Sequence, residues 1–192
     1  MKLDIILAGV GGQGILSIAT ILGEAATKAG LHLKQAEVHG MSQRGGDVQS
    51  NLRLSTDPIW SDLIEKGKAD LIIAMEPMEA LRYVPYLSKD GTIVTSSAPF
   101  INIPNYPGVE AVVSELDTFP SVKKLDIEEV AKQTGNPKGS NMVLLGMAAP
   151  FIKILSPEQL REAIKTVFAA KGEAIVESNL KAFDNGYKIT IL

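Results

Sequence analysis

The sequence contains no cysteine and only two histidines, His32 and His39, among its 192 residues. Without cysteine, the chain forms no disulfide and cannot by itself hold an iron–sulfur cluster or a zinc ion through thiolates. Two histidines are too few for a histidine-rich metal site, so we expect no metal site in this chain. Any redox centre is therefore expected on a partner or in a bound organic cofactor.

Basic charge and long hydrophobic runs are scarce as well. The formal net charge of −3 provides no positive field of the kind that nucleic acids require. The most apolar stretch, residues 142–155, is interrupted by Pro150 and Lys153 and is shorter than the roughly 20 residues that span a bilayer. The amino terminus carries Asp4 and lacks the layout of a signal peptide. We expect a cytoplasmic protein that binds neither nucleic acid nor membranes.

Apolar runs of strand length alternate with segments of helical periodicity along the chain. Strands are predicted at residues 5–8, 31–38, 48–54, 69–75, 91–95 and 109–113. Helices are predicted to begin near residues 15, 79, 126, 142 and 156. A final helix, with Val176, Leu180 and Phe183 on one face, is predicted to end at Asn185-Gly186.

This order of elements predicts the fold class. Strands that alternate with helices imply a Rossmann-like, doubly wound α/β fold, in which helices cover both faces of a mainly parallel sheet. The last third of the chain is predicted to be helical. Since there is no internal repeat and no low-complexity linker, residues 1–192 are interpreted as a single domain.

A glycine-rich loop at residues 9–14 connects the first predicted strand to the first helix. Its sequence, Gly-Val-Gly-Gly-Gln-Gly, matches the pattern G-x-G-x-x-G in the structural context that gives this pattern meaning. The helix start offers unpaired N–H groups and the positive end of a dipole to a phosphate or carboxylate. Glu37 is the one candidate for the acidic residue that holds the ribose of a nicotinamide cofactor. Alternatively, the glycines only permit close packing of strand and helix.

A second polar cluster occupies residues 37–46 and includes three glycines. Its polar members are Glu37, His39, Ser42, Gln43 and Arg44. In a doubly wound sheet the end of the second strand lies beside the end of the first, so this cluster is expected at the same crevice as the glycine loop. Arg44 has a planar fork suited to a carboxylate or phosphate, and His39 can exchange a proton near neutral pH. The alternative is a plain turn with a surface arginine and a structural histidine.

Together, the two motifs resemble the gamma-type subunits of 2-oxoacid:ferredoxin oxidoreductases, and most of all the small (beta) subunits of indolepyruvate:ferredoxin oxidoreductases. Three further features fit this resemblance: Ala69-Asp70 opening a strand, Glu76-Pro77 closing it, and Gly-Ser-Asn-Met at residues 139–142 before an apolar helix. The resemblance covers most of the chain.

The resemblance implies a gamma-type catalytic domain without a redox centre. Such a subunit completes an active site in which 2-oxoacids, here indolepyruvate or another arylpyruvate, are oxidatively decarboxylated to acyl-coenzyme A and electrons pass to ferredoxin. Thiamine diphosphate and iron–sulfur clusters are then expected on a large partner subunit, and coenzyme A is expected as cosubstrate. The isolated chain is expected to be inactive, and formation of a homodimer is left open.

The resemblance also suggests site residues. Those expected to bind an anionic group are Gly9, Gly11, Gly12, Gln13, Gly14, Ser42, Arg44 and Gly45. His39 and Arg44 are the catalytic candidates, and no general base is assigned. The anion is a coenzyme A phosphate, the substrate carboxylate or a surface of the large subunit. Glu76 is expected at the crevice edge or as the cap of the following turn, and Asn141 as the cap of the apolar helix.

Two other functions remain open from the sequence. The glycine loop alone favours a free-standing NAD- or NADP-dependent dehydrogenase, although the chain lacks a separate substrate domain. A small acidic chain is also compatible with a noncatalytic module that binds a nucleotide or an acyl-coenzyme A.

Overall fold

A computed structural model describes residues 1–39, 46–101 and 103–192, without the side chain of His39. In these ranges one sheet contains β1 (Lys2–Val10), β2 (His32–His39), β3 (Asp47–Ser55), β4 (Ala69–Ala74), β5 (Leu87–Ser96) and β6 (Val122–Leu125). The α-helices of the same ranges are α1 (Ile15–Lys28), α2 (Pro77–Arg82), α3 (Val109–Leu116), α4 (Ile127–Gln133), α5 (Ser140–Ala148), α6 (Pro157–Phe168) and α7 (Glu173–Ile191). Short 3-10 turns occur at Val84–Tyr86, Ala149–Phe151 and Ala169–Lys171.

The strand order of the sheet is β2-β3-β1-β4-β5-β6. Strands β4, β5 and β6 continue parallel to β1, whereas β3 lies antiparallel between β1 and β2. The mainly parallel α/β sheet is confirmed, but the expectation that the second strand lies directly beside the first is wrong, because β3 separates them. Because β3 is antiparallel to both neighbours, β2 is parallel to β1 and ends at the same edge of the sheet as β1, β4 and β5. We call this the carboxyl edge.

Helices cover both faces of the sheet, as expected. Side chains alternate along β1, so Ile5 and Leu7 enter a large core with α1 and with α4 to α7. Ile6 and Ala8 point to the other face, where they join a smaller core with α2 and α3. All four side chains are fully buried. In helix α5 every residue from Met142 to Ala148 is buried, so this helix belongs to the large core.

Three elements differ from those expected. Residues 109–113 belong to α3 and not to a strand, because Val112 and Leu116, four residues apart, share one buried helical face. Strand β6 was not predicted, since an edge strand of four residues with two lysines has little apolar signal. Helix α7 continues through Asn185-Gly186 to Ile191, so the predicted end is wrong.

Glycine gives the physical reason for the last difference. A Cβ atom on Gly186 would overlap the main-chain oxygen of Val143, and one on Gly146 would overlap that of Phe183. The two glycines therefore let α5 and α7 approach closely, and Gly186 serves helix packing instead of helix termination. Within the described ranges, no helix has both the length and the apolar character needed to cross a membrane.

Candidate functional site

The glycine loop connects β1 to α1 at the carboxyl edge. Gly12 and Gly14 adopt positive φ angles of 100° and 82°, which residues with a side chain rarely adopt. Gly14 is the N-cap residue of α1, and among the described residues no side chain caps this helix. The first turn of α1 also lacks an acidic residue. The first turn itself therefore supplies no negative charge to balance the positive end of the helix dipole.

Hydrogen bonds fold the loop back onto the sheet. The Gln13 N–H donates to the Val10 oxygen at 3.1 Å, and the Val10 N–H donates to Gln13 Oε1 at 2.8 Å. The Gly11 N–H donates to the Gly46 oxygen at 2.9 Å. The main-chain N–H groups of Gly11 and Gln13 are thus used inside the protein. In the described part of the chain, the N–H of Gly12 has no such acceptor, and Gly12 is exposed with open space around its Cα.

Gly9 has a packing role in this structure. A Cβ atom there would come within 3.2 Å of both Gln13 Oε1 and Met75 Cβ. Met75, which follows β4, is buried, and its N–H donates to the Ala8 oxygen at 2.9 Å. The ends of β1 and β4 are therefore in close contact, and a side chain at position 9 would require its neighbours to move by a few tenths of an ångström.

Asn141 of α5 contacts the last residue of the glycine loop. Its Nδ2 donates to the Gly14 oxygen at 3.1 Å, although 127 residues separate the two in sequence. The expectation that Asn141 caps its own helix is wrong, because α5 begins at Ser140 with Gly139 as its N-cap residue. Asn141 instead connects the first turn of α5 to the start of α1.

The second polar cluster lies only partly within the described residues. The main chain of His39 ends β2 opposite Val48, and Val48 in turn lies opposite Gly9. At the usual strand spacing, His39 and Gly9 are about 10 Å apart along the carboxyl edge. Ser42, Arg44 and Gly45, like the side chain of His39, lie outside the described residues. Gly46, where the described chain resumes, accepts the hydrogen bond from Gly11 noted above.

Glu37 does not lie where a dinucleotide ribose would need it. It belongs to β2, an edge strand, and pairs with Ser50 of β3. Ser50 lies opposite Leu7, before the glycine loop begins. In a dinucleotide-binding fold the acidic residue ends the strand adjacent to β1, a position that β3 occupies here.

Glu76 is a buried carboxylate that makes more contacts than the sequence analysis predicts. Its side chain caps α2 by accepting the Glu79 N–H at 2.9 Å, which confirms the capping role. It also accepts the Phe100 N–H at 3.4 Å and the hydroxyl hydrogen of Tyr106. The dipeptide Glu76-Pro77 signals the cap. The contacts with Phe100 and Tyr106 have no sequence signal, because both residues are distant in the chain.

Further acidic groups lie near Glu76. Glu79 is buried and forms a two-pronged ion pair with Arg82, with N–O distances of 2.9 and 3.2 Å. Burial raises the pKa of the Glu79 carboxyl, and the neighbouring Arg82 only partly offsets this rise. The hydroxyl of Tyr83 donates to Asp47 Oδ2 at 3.4 Å, and burial together with the Asp47 charge raises the pKa of Tyr83. Among the described residues, no group of three or more acidic or histidine side chains has the arrangement of a metal site.

Comparisons with known proteins cover nearly the whole chain. A sequence model of the family described as pyruvate ferredoxin/flavodoxin oxidoreductase matches residues 4–189. The chain is 38% identical to indolepyruvate oxidoreductase subunit IorB of Pyrococcus horikoshii, over 96% of this chain and 94% of that subunit.

Two solved structures have a similar fold. The gamma subunit of a keto/oxoacid ferredoxin oxidoreductase from Geobacter sulfurreducens is 26% identical, with a TM-score of 0.72 and 98% of each chain covered. The 2-oxoglutarate:ferredoxin oxidoreductase from Magnetococcus marinus, solved with 2-oxoglutarate, coenzyme A and succinyl-CoA bound, is 22% identical with a TM-score of 0.77. The match covers 99% of this chain but 31% of that one, and at this identity it shows a common fold alone.

Proposed function

Since the chain belongs to the pyruvate ferredoxin/flavodoxin oxidoreductase family, we propose that it is the small subunit of an indolepyruvate-type 2-oxoacid:ferredoxin oxidoreductase. The observation that carries this proposal is the 38% identity to IorB of Pyrococcus horikoshii over nearly the full length of both chains. The complex would oxidatively decarboxylate an arylpyruvate to its acyl-coenzyme A in the cytoplasm and pass the electrons to ferredoxin.

The absence of cysteine supports the proposed division of labour between the subunits. Iron–sulfur clusters need cysteine thiolates, and this sequence has none. The residues present therefore do not fit such a cluster, and the proposal places the clusters and thiamine diphosphate on a large partner subunit. Residues 1–192 then act as one gamma-type domain that completes the active site, and the isolated chain is inactive.

We propose that the glycine loop is the part of the chain that receives an anion. The uncapped start of α1 and the exposed main chain of Gly12 support this role, because together they offer N–H groups and a positive dipole to a ligand. Gly9, Gly11, Gln13 and Gly14 shape the loop through the contacts described above. Ser42, Arg44, Gly45 and His39 are proposed as its polar neighbours, on the basis of the sequence. The anion is a coenzyme A phosphate, a substrate carboxylate or an acidic surface of the large subunit.

Reconstitution with the large subunit tests the function. The chain should copurify with a cysteine-rich, thiamine-binding subunit, and the pair should reduce ferredoxin only when both coenzyme A and a 2-oxoacid are present. Indolepyruvate should be turned over faster than pyruvate or 2-oxoglutarate. Tight NAD binding by the isolated chain, followed by hydride transfer, would contradict the proposal and favour the dehydrogenase.

Substitutions in the reconstituted complex test the site. Gly12→Ala and Arg44→Ala should each reduce turnover or raise the KM for an anionic substrate. Gly67→Ala is a matched control, because Gly67 has a similar positive φ of 73° and open space around it, but lies before β4 at the opposite edge of the sheet. If the Gly12 and Gly67 variants lose activity equally, backbone strain and not the site explains the effect.

A further inference from the structure

An irregular segment follows β5 at the carboxyl edge. It comprises residues 97–101 and 103–107, which we call the rim segment. The Ser97 N–H donates to the Leu125 oxygen at 2.9 Å, which fixes the beginning of the segment to the end of β6. Phe100 and Ile101 expose 42% and 65% of their surface, so the segment presents apolar side chains to solvent.

Glu76 connects this rim segment to the strand beside the glycine loop. It follows Met75, which packs against Gly9, and its own side chain is completely buried. The carboxylate accepts hydrogen bonds from one N–H of α2, from the Phe100 N–H and from the Tyr106 hydroxyl. Among the described residues that donate to this carboxylate, Phe100 and Tyr106 therefore belong to the rim segment.

A buried carboxylate is unfavourable unless its oxygens are hydrogen-bonded. Capping α2 needs only one acceptor, which an exposed aspartate or serine could supply. The burial of Glu76 and its two contacts with the rim segment are not explained by helix capping alone. These two contacts attach the rim segment to this buried side chain beyond the point where Ser97 is fixed to β6.

We infer that Glu76 is a positioning residue, which holds the rim segment as the second wall of the crevice opposite the glycine loop. The inference rests on the proposed function, because it assigns the crevice between the two walls to a substrate of the reconstituted complex. The glycine loop offers N–H dipoles, while Phe100 and Ile101 offer apolar surface. A ligand with an anionic group and an apolar part would contact both walls.

Two substitutions should weaken the contact between Glu76 and the rim segment without unfolding the protein. Tyr106→Phe deletes one hydroxyl, and Glu76→Gln keeps an acceptor for α2 but replaces the carboxylate by a neutral amide. Tyr86→Phe is the matched control: it also deletes a phenolic hydroxyl, but Tyr86 precedes β5 at the opposite edge of the sheet. Within the described residues the Tyr86 hydroxyl makes no hydrogen bond, so its loss should change nothing.

The first measurement is amide hydrogen exchange of the full chain. Losing one hydrogen bond to a buried carboxylate should speed exchange at Phe100 about tenfold or more in both variants, and not in the control. Unchanged exchange would overturn the inference, because the rim segment would then be held by other contacts.

The second measurement is the kinetics of the reconstituted complex. Both variants should raise the KM for coenzyme A or for the 2-oxoacid about tenfold, with kcat within about twofold of the wild-type value. A loss of kcat alone, or unchanged kinetics despite faster exchange, would overturn the inference while the proposed function stands. If the wild-type complex itself is inactive, the proposed function fails first, and the inference falls with it.

Discussion

The side chain of Asn141 donates a hydrogen bond to the main-chain oxygen of Gly14, and its Nδ2 would lie 2.8 Å from a Cβ atom on that glycine. The N-cap residue of α1 is therefore constrained twice, by its left-handed backbone and by a neighbour from α5. This contact joins α5, which belongs to the large core, to the loop proposed to bind an anion.

This relationship predicts coupled effects on stability. Gly14→Ala should destabilise the protein by about 2 kcal/mol, because backbone strain adds to the overlap with Asn141. Asn141→Ala should reduce stability by about 1 kcal/mol through the lost hydrogen bond. The double variant should be more stable than the sum predicts, since alanine at position 141 removes the overlap. Chemical denaturation of the four proteins measures this coupling.

Gly135→Ala serves as the control for backbone strain. Gly135 also has a positive φ, 80°, but no atom lies within 4 Å of its would-be Cβ. Its substitution should reduce the free energy of unfolding by about 1 kcal/mol through backbone strain, with no coupling to Asn141→Ala. Additive effects at positions 14 and 141 would show that the overlap is relieved by small movements of the amide.

A second prediction concerns the contact between α5 and α7. Gly146→Ala and Gly186→Ala should each reduce the free energy of unfolding by about 3 kcal/mol or more, because a methyl group would overlap the main chain of the facing helix. Gly108→Ala, at an open position with an ordinary φ of −54°, should have an effect below about 1 kcal/mol. Thermal or urea denaturation distinguishes the two classes, and equal effects would contradict the packing role.

The same helix pair shows which features of the fold can be predicted from sequence patterns and which cannot. The alternation of strands and helices predicts the fold class, and the buried runs that form β1 and β4 are recognised because a strand covered on both faces is apolar throughout. Asn185-Gly186 has the composition of a helix end, but Gly186 is required by a main chain more than 40 residues away. A local signal cannot distinguish a glycine that ends a helix from one that permits close packing.

The site shows a similar limit. The glycine loop is predictable because its pattern, its strand and its helix are contiguous in sequence. The insertion of β3 between β1 and β2 is not, because strand order depends on which edges pair in three dimensions. The contacts of Glu76 with Phe100 and Tyr106 likewise join separate segments, and the acidic residue alone carries no indication of its partners.

A third prediction concerns Arg53 on β3, which lies opposite Asp4 of β1 and pairs with its buried carboxylate at 2.9 Å. The same guanidinium donates to the main-chain oxygens of Ser61 and Leu63, at 3.0 Å each. Arg53→Met should therefore destabilise the protein by about 3 kcal/mol, because the buried carboxylate of Asp4 loses the more buried of its two cationic partners. Lys2→Met removes a half-exposed cation from Asp4 and should have an effect below about 1 kcal/mol.

The fluorescence of Trp60 can measure how Arg53 affects the mobility of the loop at residues 60–63. This residue is the only tryptophan of the sequence, is 93% exposed, and belongs to the loop that Arg53 anchors. Its fluorescence anisotropy should decrease in the folded Arg53→Met variant and remain unchanged in Lys2→Met. An unchanged anisotropy in both variants would show that other contacts hold the loop.

The final prediction concerns pH. Burial raises the folded-state pKa of Glu79 above its ordinary value of 4.5, so between these two values the folded chain holds a proton that the unfolded chain has released. The contribution of Glu79 to the free energy of unfolding therefore falls as pH rises through this window. Relative to Glu79→Gln, the wild-type protein should lose stability across the window and show a constant difference on either side.

Glu162 provides a control of opposite sign. Lys165 lowers the pKa of this exposed carboxyl below 4.5, so the unfolded chain binds more protons in the window beneath that value. The contribution of Glu162 to the free energy of unfolding therefore rises with pH there, and screening by solvent keeps it small. Urea denaturation at several pH values, on wild-type, Glu79→Gln and Glu162→Gln proteins, measures both differences. A wild-type advantage over Glu79→Gln that grows with pH below 4.5, with no loss above that value, would mean that pairing with Arg82 outweighs burial at Glu79.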